Sequence, residues 1–157
     1  MIRKGLPADA DAIGDIFVRA RNAMTYLPRI PDDIRPKLGG WFTERHEIWL
    51  IEDSGRVSGF AGLSKGWIDH LYVDTDSQSR GLGSRLLQHV KAIQPQGIRL
   101  WVFQKNSGAR RFYERHDFRL ERMTDGSNNM EREPDALYAW QPGQMERASN
   151  ESGRTWG

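Results

Sequence analysis

The sequence of 157 residues contains no cysteine and no long apolar segment. Without cysteine the chain has no disulfide scaffold, no thiolate nucleophile and no cysteine metal site, and it suits a reducing compartment such as the cytoplasm. No apolar run approaches the roughly 20 residues that cross a membrane. The first residues, Met1-Ile2-Arg3-Lys4, lead into no apolar signal segment. We therefore expect a cytoplasmic protein that has no membrane partner.

An excess of charge of one sign is also missing. The 23 basic and 21 acidic side chains leave a net charge of +2 and are mixed along the chain. This balance provides no basic stripe, so we expect no nucleic-acid partner, although single arginines can still meet the phosphates of a cofactor. His46, His89 and His116 show no metal-ligand spacing with one another, and we expect no metal site.

Large apolar side chains, in contrast, are plentiful. Hydrophobic residues make up 38% of the chain, with six tryptophans and six phenylalanines. A chain of this length is near the common size for one hydrophobic core. From Gln141 onward the sequence is polar and aperiodic. We predict a single soluble domain over residues 1–141 and a polar, flexible tail over residues 142–157.

A glycine-rich turn follows the apolar run Leu71-Tyr72-Val73. It has the sequence Gln78-Ser79-Arg80-Gly81-Leu82-Gly83-Ser84 and opens a predicted helix. Free backbone N–H groups and the positive end of the helix dipole meet at such a start, and residues without side chains let a phosphate approach the main chain. Glycines also close ordinary loops, so the turn alone is not specific.

Neither common nucleotide-binding loop fits this turn. A Walker loop ends in Gly-Lys-Ser/Thr, whereas Gly83 is followed by Ser84-Arg85. A dinucleotide-binding fingerprint needs a third glycine at the position of Leu86. Nucleotide hydrolysis of the Walker type and dinucleotide binding are therefore not supported.

Two sequence blocks resemble one known family. The spacing Gln-x-x-Gly-x-Gly after a strand resembles the coenzyme A pyrophosphate loop of the GCN5-related N-acetyltransferases, the GNAT superfamily. The second block, from Leu100 to Phe118, resembles that family's strand, its Asn, its helix with Ala and Phe-Tyr-Glu, and its Gly-Phe turn. Asp117 stands where the family usually has glycine, and Asp tolerates a left-handed helix end better than most residues. The resemblance spans roughly Ile2 to Trp140.

The resemblance implies the GNAT fold, an α+β fold with a mixed central sheet. We expect about six to seven strands, including a splayed parallel pair, flanked by about four helices. The residue patterns agree, because turn residues separate three β-rich runs between residues 47 and 73, as in an antiparallel meander. The helix from Gly81 then predicts a crossover that makes residues 98–103 parallel to residues 67–73.

The family resemblance also implies an activity and a cofactor. The chain is expected to move an acetyl group from acetyl-CoA directly to a primary amine of a small molecule or peptide, with coenzyme A as product. In that family the pantetheine arm pairs with the main chain of one splayed strand. Carried over by position, the cofactor-binding residues are Leu71, Tyr72, Val73, Gln78, Ser79, Arg80, Gly81, Leu82, Gly83, Ser84, Asn106 and Tyr113. For Asn106, helix capping is the alternative role.

Tyr113 is the expected general acid of this reaction. It lies in the pattern Asn-x-x-Ala-x-x-Phe-Tyr-Glu, four residues after Ala109 on the same helix edge. Transfer of the acetyl group to an amine expels the sulfur of coenzyme A as a thiolate, which a phenol within hydrogen-bond reach can protonate. Packing as a half-buried aromatic side chain is the alternative.

The base that removes the amine proton is left open between Asp69 and His70. Both belong to the strand next to the cofactor in the family, and simple alternation places them on opposite faces. An imidazole titrates near neutrality, whereas Asp69 needs a raised pKa to act as a base. Either residue can equally have a structural role. Trp101 occupies the neighbourhood where some family members carry Glu.

The acceptor site is expected in the first two helices, their connecting loop and the last strands, as in the family. Acidic side chains there can attract a protonated amine, and a solvated hairpin loop is the alternative. The residues that we select are Tyr26, Trp41, Glu131, Glu133 and Asp135. A homodimer is one assembly that we consider.

Two other classes of function remain. A non-catalytic acyl-CoA-binding or sensing module retains residues 78–84 but has no use for Tyr113. A phosphate- or nucleic-acid-binding protein is disfavoured by the mixed charge, and it requires binding with a steep salt dependence.

Overall fold

The computed structural model describes residues 1–77 and 80–143. Within these residues there are seven strands, β1 (Ile2–Lys4), β2 (Glu47–Asp53), β3 (Arg56–Ser64), β4 (Trp67–Val73), β5 (Ile98–Phe103), β6 (Arg119–Thr124) and β7 (Asp135–Trp140). The four α-helices are α1 (Ala10–Asn22), α2 (Arg35–Arg45), α3 (Leu82–Ile93) and α4 (Ser107–Arg115). The strands form a mixed sheet in the order β1-β2-β3-β4-β5-β7-β6, with a parallel pair, and the predicted fold class is confirmed.

The chain forms two compact units, Met1–Ile93 and a second that begins at Gln94. In the first unit, β1 to β4 form the antiparallel meander that the turn residues predicted. Left-handed backbone at Gly55 (φ 75°) and Gly66 (φ 80°) closes the two hairpins. The core of this unit lies between α1, α2 and the sheet and contains Ile13, Ile16, Phe17, Phe42, Ile48, Leu50 and Phe60.

Two glycines bring α1 and α2 into backbone contact. A Cβ on Gly39 of α2 would lie 1.7 Å from the carbonyl oxygen of Ala10, and one on Gly14 of α1 would lie 2.2 Å from that of Arg35. Any side chain would therefore push the helices apart. This close crossing fixes the position of the end of α2, where Trp41 and Phe42 lie.

In the second unit, β7 pairs antiparallel with both β5 and β6. The helix α4 begins beside Asn106, whose Oδ1 accepts a hydrogen bond from the Ala109 N–H at 3.1 Å. The helix ends at Arg115, and two residues later Asp117 has a φ of 70°, the left-handed conformation that the sequence predicted there. The N–H of Phe118 then donates to the Tyr113 carbonyl at 3.0 Å, which closes the last turn.

None of the helices in residues 1–77 and 80–143 has the length and apolar character needed to cross a bilayer.

Candidate active site

The start of α3 has the backbone of an anion site. Gly81 has a φ of 77°, a left-handed conformation that favours glycine, and it directly precedes the first turn of the helix. A Cβ on Gly81 would meet no described heavy atom within 4 Å, so a ligand can approach the main chain there. Leu82 is buried, while Gly83 and Ser84 are half-buried in the first turn. Gln78 and Ser79 lie outside the described residues.

Arg80, the charged residue of this turn, already has an anionic partner. Its Nη1 lies 2.9 Å from Oδ2 of Asp53, at the end of β2. The Arg80 side chain is 59% exposed and that of Asp53 is 23% exposed. The guanidinium has five N–H donors, so it can also bind a phosphate oxygen beside the carboxylate.

The end of β4 is fixed by a buried carboxylate at Asp74. Its side chain is 1% exposed, and Oδ2 accepts hydrogen bonds from Arg19 of α1 at 2.7 Å and Arg56 of β3 at 2.8 Å. Its main-chain N–H donates to Ser58 O, and its carbonyl accepts from the N–H of Ser77. Asp74 therefore joins α1, β3 and the segment that leads toward the glycine turn.

The three residues before Asp74 have half-buried side chains. Leu71, Tyr72 and Val73 are registered against Ala61, Phe60 and Gly59 of β3. The Tyr72 ring meets the Phe17 ring edge-on, with centroids 5.3 Å apart. The side chains thus pack in the first unit, which agrees with a cofactor role that uses only their main chain.

In the second unit, Tyr113 is buried on α4, with 7% of its surface exposed. Its ring meets those of Phe112 and Phe118 edge-on, with centroids 5.1 Å and 5.4 Å away. These contacts restrict the orientation of the phenol.

Tyr138 of β7 ties α4 to the sheet of the same unit. Its buried hydroxyl donates to Glu114 Oε2 at 2.6 Å and accepts from Arg110 Nε at 3.1 Å. Burial and the bond to Glu114 raise the pKa of the Tyr138 hydroxyl. Because Arg110 and Glu114 flank Tyr113 along α4, this network holds the helix that carries the expected acid.

A bulge in β4 changes the expected placement of Asp69 and His70. Gly62 of β3 is registered against His70 and Leu63 against Ile68, so Asp69 is an extra residue on β4. The alternation of side chains along β4 is interrupted there. The side chains of Asp69 and His70 therefore lie near the same group instead of on opposite faces of the sheet. That group is the imidazole of His46, just after α2: its Nε2 lies 3.6 Å from Asp69 Oδ2, and its ring centroid lies 5.0 Å from that of His70.

His70 lies in aromatic surroundings. Its ring centroid is 4.5 Å from that of Phe42 and 6.0 Å from that of Phe17. Burial, reinforced by the nearby His46, lowers the pKa of His70 to about 4. Its Nδ1 is buried and has no hydrogen-bond partner among the described residues. The ring is therefore neutral near pH 7.

Two of the three acidic residues expected to attract an amine are engaged within the protein. The Asp135 carboxylate accepts hydrogen bonds from Thr124 Oγ1 and, at 3.1 Å, from Asn129 Nδ2. Glu133 is buried and its Oε2 lies 3.5 Å from Nζ of Lys105. Glu131 is half-buried.

The two aromatic residues expected at the acceptor site lie on separate segments of the first unit. Tyr26 is half-buried in the loop after α1. Trp41 on α2 is 42% exposed, and the Arg45 guanidinium stacks over its ring at 4.8 Å. The Trp41 ring also lies 5.6 Å from that of His46.

Sequence reasoning missed several partners of the candidate residues. Three of these partners are recognised only by a contact with a residue that is distant in sequence or on another element: His46, Asp53 and Glu114. No local sequence pattern identifies them. Asp74 directly follows an apolar strand and precedes the glycine turn, a position that could have drawn attention to it. Among the described residues no group of His, Asp and Glu side chains can hold a metal ion.

Comparison with known proteins identifies the family. The family model "Acetyltransferase (GNAT) domain" matches residues 44–120. A solved structure of yncA from Salmonella typhimurium, with its cofactor acetyl-CoA, superposes with a TM-score of 0.72 at 18% identity, covering 90% of this chain and 92% of that chain. At that identity the likeness concerns the fold.

Two curated relatives share more of the sequence. A probable N-acetyltransferase of Mycobacterium tuberculosis is 36% identical over 96 residues, which are 56% of this chain and 52% of that protein. The chain thus spans about half the length of that relative. The peptidyl-lysine N-acetyltransferase YiaC of Escherichia coli is 32% identical over 108 residues, which are 68% of each chain. The two sequence blocks, the mixed sheet and these relatives show that the chain belongs to the GNAT superfamily of acetyltransferases.

Proposed function

We propose that this chain is a cytoplasmic, acetyl-CoA-dependent N-acetyltransferase that moves an acetyl group directly to a primary amine of a small molecule or peptide. The observation that carries the proposal is the start of α3, where Gly81 is left-handed and no atom of the described residues occupies the space beside it. Family membership supports the reaction type. The absence of cysteine supports direct transfer, because no thioester with the enzyme can form.

Acetyl-CoA fits the residues at the start of α3. The main chain of residues 81–84 and the positive helix end suit the pyrophosphate, and Arg80 adds charge-assisted hydrogen bonds. The main chain of residues 71–73 is proposed to pair with the pantetheine arm. Asn106 is proposed to contact this arm through its amide nitrogen, because its Oδ1 caps α4. When bound, acetyl-CoA supplies the reactive thioester.

Tyr113 is proposed to protonate the departing thiolate. Its burial and the two aromatic contacts hold the phenol in one orientation, which is what a proton donor needs. The network around Tyr138 supports the same role, because it fixes the helix on either side of Tyr113. We propose that both units act together as one domain over residues 1–141.

Asp69 or His70 is proposed as the group that receives the amine proton. They differ in their surroundings, since the Asp69 side chain is 33% exposed and His70 is held neutral by burial. For the acceptor, Tyr26, Trp41 and the acidic loop residues define the proposed site. Lysine side chains of peptides are one candidate class, because a relative is named a peptidyl-lysine N-acetyltransferase.

A screen of amines tests the proposal. The full chain is incubated with acetyl-CoA and a library of small primary amines and lysine-containing peptides, and the release of free thiol is measured. We expect thiol release that depends on the amine. If calorimetry shows binding of acetyl-CoA but no amine accelerates thiol release, the chain is a non-catalytic acyl-CoA-binding module and not an enzyme. If acetyl-CoA does not bind, both proposals are rejected.

A further inference from the structure

His46 has a position that suits a protonated imidazole. It follows the last residue of α2, and its own N–H donates to the Phe42 carbonyl oxygen at 3.0 Å. Its Nδ1 lies 3.3 Å from the same oxygen, while its Nε2 faces Asp69 Oδ2 at 3.6 Å. Both ring nitrogens therefore face oxygen acceptors. A neutral imidazole can donate to one of them, whereas the protonated ring donates to both.

The ring lies beside a helix end and an anionic side chain. The C-terminal end of a helix stabilises a cation, and His46 caps the end of α2. The Asp69 carboxylate supplies an opposite charge from β4. On the other side, His70 is neutral near pH 7 and adds no repulsion. Arg45 also belongs to α2, but its guanidinium stacks over Trp41.

The two members of the pair differ in their access to solvent. The side chain of Asp69 is 33% exposed, whereas that of His46 is 9% exposed. Ser64 donates a hydrogen bond to the same Asp69 Oδ2 at 2.6 Å, which fixes the carboxylate. Asp69 can therefore meet an incoming ammonium or a water molecule, and His46 lies behind it.

We propose that Asp69 and His46 form a proton-accepting pair for the acceptor amine, in which the exposed carboxylate receives the proton and the buried imidazole holds it. This inference rests on the proposed function. The ammonium R–NH₃⁺ loses one proton and becomes the nucleophile R–NH₂. The pair gains that proton and changes from carboxylate with neutral imidazole to carboxylate with imidazolium. The proton leaves to solvent after each turnover. Asp69 touches the substrate, and His46 acts through Asp69.

The bulge in β4 explains why this pair can form. Without the extra residue, the side chains of Asp69 and His70 would alternate, and only one of them would reach His46. His70 is unsuited to hold the proton, since its burial disfavours the charged ring. We therefore favour Asp69 over His70 as the proton-receiving group, because the Asp69 carboxylate is exposed and the His70 ring is buried.

Nuclear magnetic resonance tests the pair without any substrate. The ring nitrogen signals of the four histidines in the full chain are compared at one pH between the natural protein and Asp69→Asn. We expect the His46 signals to change in Asp69→Asn, because the carboxylate that faces Nε2 is lost. His89, which packs against Trp49, is the internal control, and its signals should not move. Unchanged His46 signals overturn the pair.

The pH dependence of the reaction tests the catalytic role. With an amine found in the screen, His46→Gln should lower kcat/KM at least about 10-fold near pH 7. The deficit should shrink as the pH rises toward the pKa of the amine itself, about 10.4 for a lysine side chain, because a growing fraction of the amine has then lost its proton. His89→Gln is the matched control and should behave as the natural protein. A folded His46→Gln variant with unchanged activity and pH profile rejects the catalytic role, although the proposed function stands. If no amine is acetylated, the proposed function fails and the magnetic resonance comparison alone decides the pair.

Discussion

Arg19 Nη2 donates to Asp74 Oδ2 across 2.7 Å, and this ion pair joins the last turn of the first helix to the end of the strand before the glycine turn. The carboxylate is 1% exposed and also accepts from Arg56. A buried carboxylate with two arginine partners is costly to replace, because the arginines lose their counter-charge.

Asp74→Asn should lower the free energy of unfolding by about 2–4 kcal/mol. The matched control is Asp76→Asn, because Asp76 pairs with the same Arg19 at 3.5 Å but its side chain is 71% exposed. That substitution should cost less than about 1 kcal/mol. Urea unfolding of both variants measures the difference, and equal costs would show that burial of Asp74 is unimportant.

Gly81→Ala should weaken the binding of acetyl-CoA. The left-handed backbone makes alanine unfavourable by about 1 kcal/mol, and the new Cβ would enter the open space where we place the cofactor. Gly66→Ala is the control, since Gly66 has a φ of 80° and equally open surroundings in a distant hairpin. Calorimetry should show lower affinity for Gly81→Ala alone, while both variants lose similar stability. Equal affinities of the two variants for acetyl-CoA would show that the cofactor does not bind at the Gly81 turn.

Tyr113→Phe should lower turnover by about 10-fold or more while the affinity for acetyl-CoA changes little. The ring keeps its contacts with Phe112 and Phe118, so only the proton donor is lost. Steady-state kinetics with an identified amine, together with calorimetry of the cofactor, separates the two effects. If Tyr113→Phe has the turnover of the natural protein, Tyr113 is not the general acid and has only a packing role.

His70 should make stability depend on pH in the acid range. Its pKa is about 4 in the folded chain, below the ordinary value of 6.5, so the unfolded chain binds a proton there first as the pH falls. The contribution of the neutral His70 ring to the free energy of unfolding is complete above pH 6.5 and is lost as the pH falls through about 4. The slope is about 1.4 kcal/mol per pH unit between these values.

The difference in unfolding free energy between the natural protein and His70→Gln, measured by urea from pH 7 to pH 4, isolates this contribution. The natural protein should lose stability faster than the variant as the pH falls. Parallel curves would mean that the ring is not held neutral.

Features that depend on neighbouring residues could be predicted from the sequence. The hairpin turns, the left-handed glycine before α3 and the left-handed Asp117 after α4 are each set by the local backbone preference of a few residues. The family resemblance then supplied the mixed sheet with its parallel pair, which short local patterns alone do not give.

The surroundings of the expected base could not be predicted in the same way. The period of two residues in a strand predicts opposite faces for Asp69 and His70, and a bulge breaks this rule through the pairing with β3. His46 meets them only because α2 ends beside the sheet of the same unit. Such contacts depend on packing over long sequence separations.

If the cofactor binds at the glycine turn as we propose, the ion pair between Arg80 and Asp53 makes its pyrophosphate share a cation that already has an anionic partner. The guanidinium divides its charge between the carboxylate and the phosphate, so the full charge of Arg80 overstates what this residue adds to the affinity for the cofactor. Added salt weakens the old pair and the new one together, and the dependence of binding on ionic strength should be shallower than a count of cationic groups suggests.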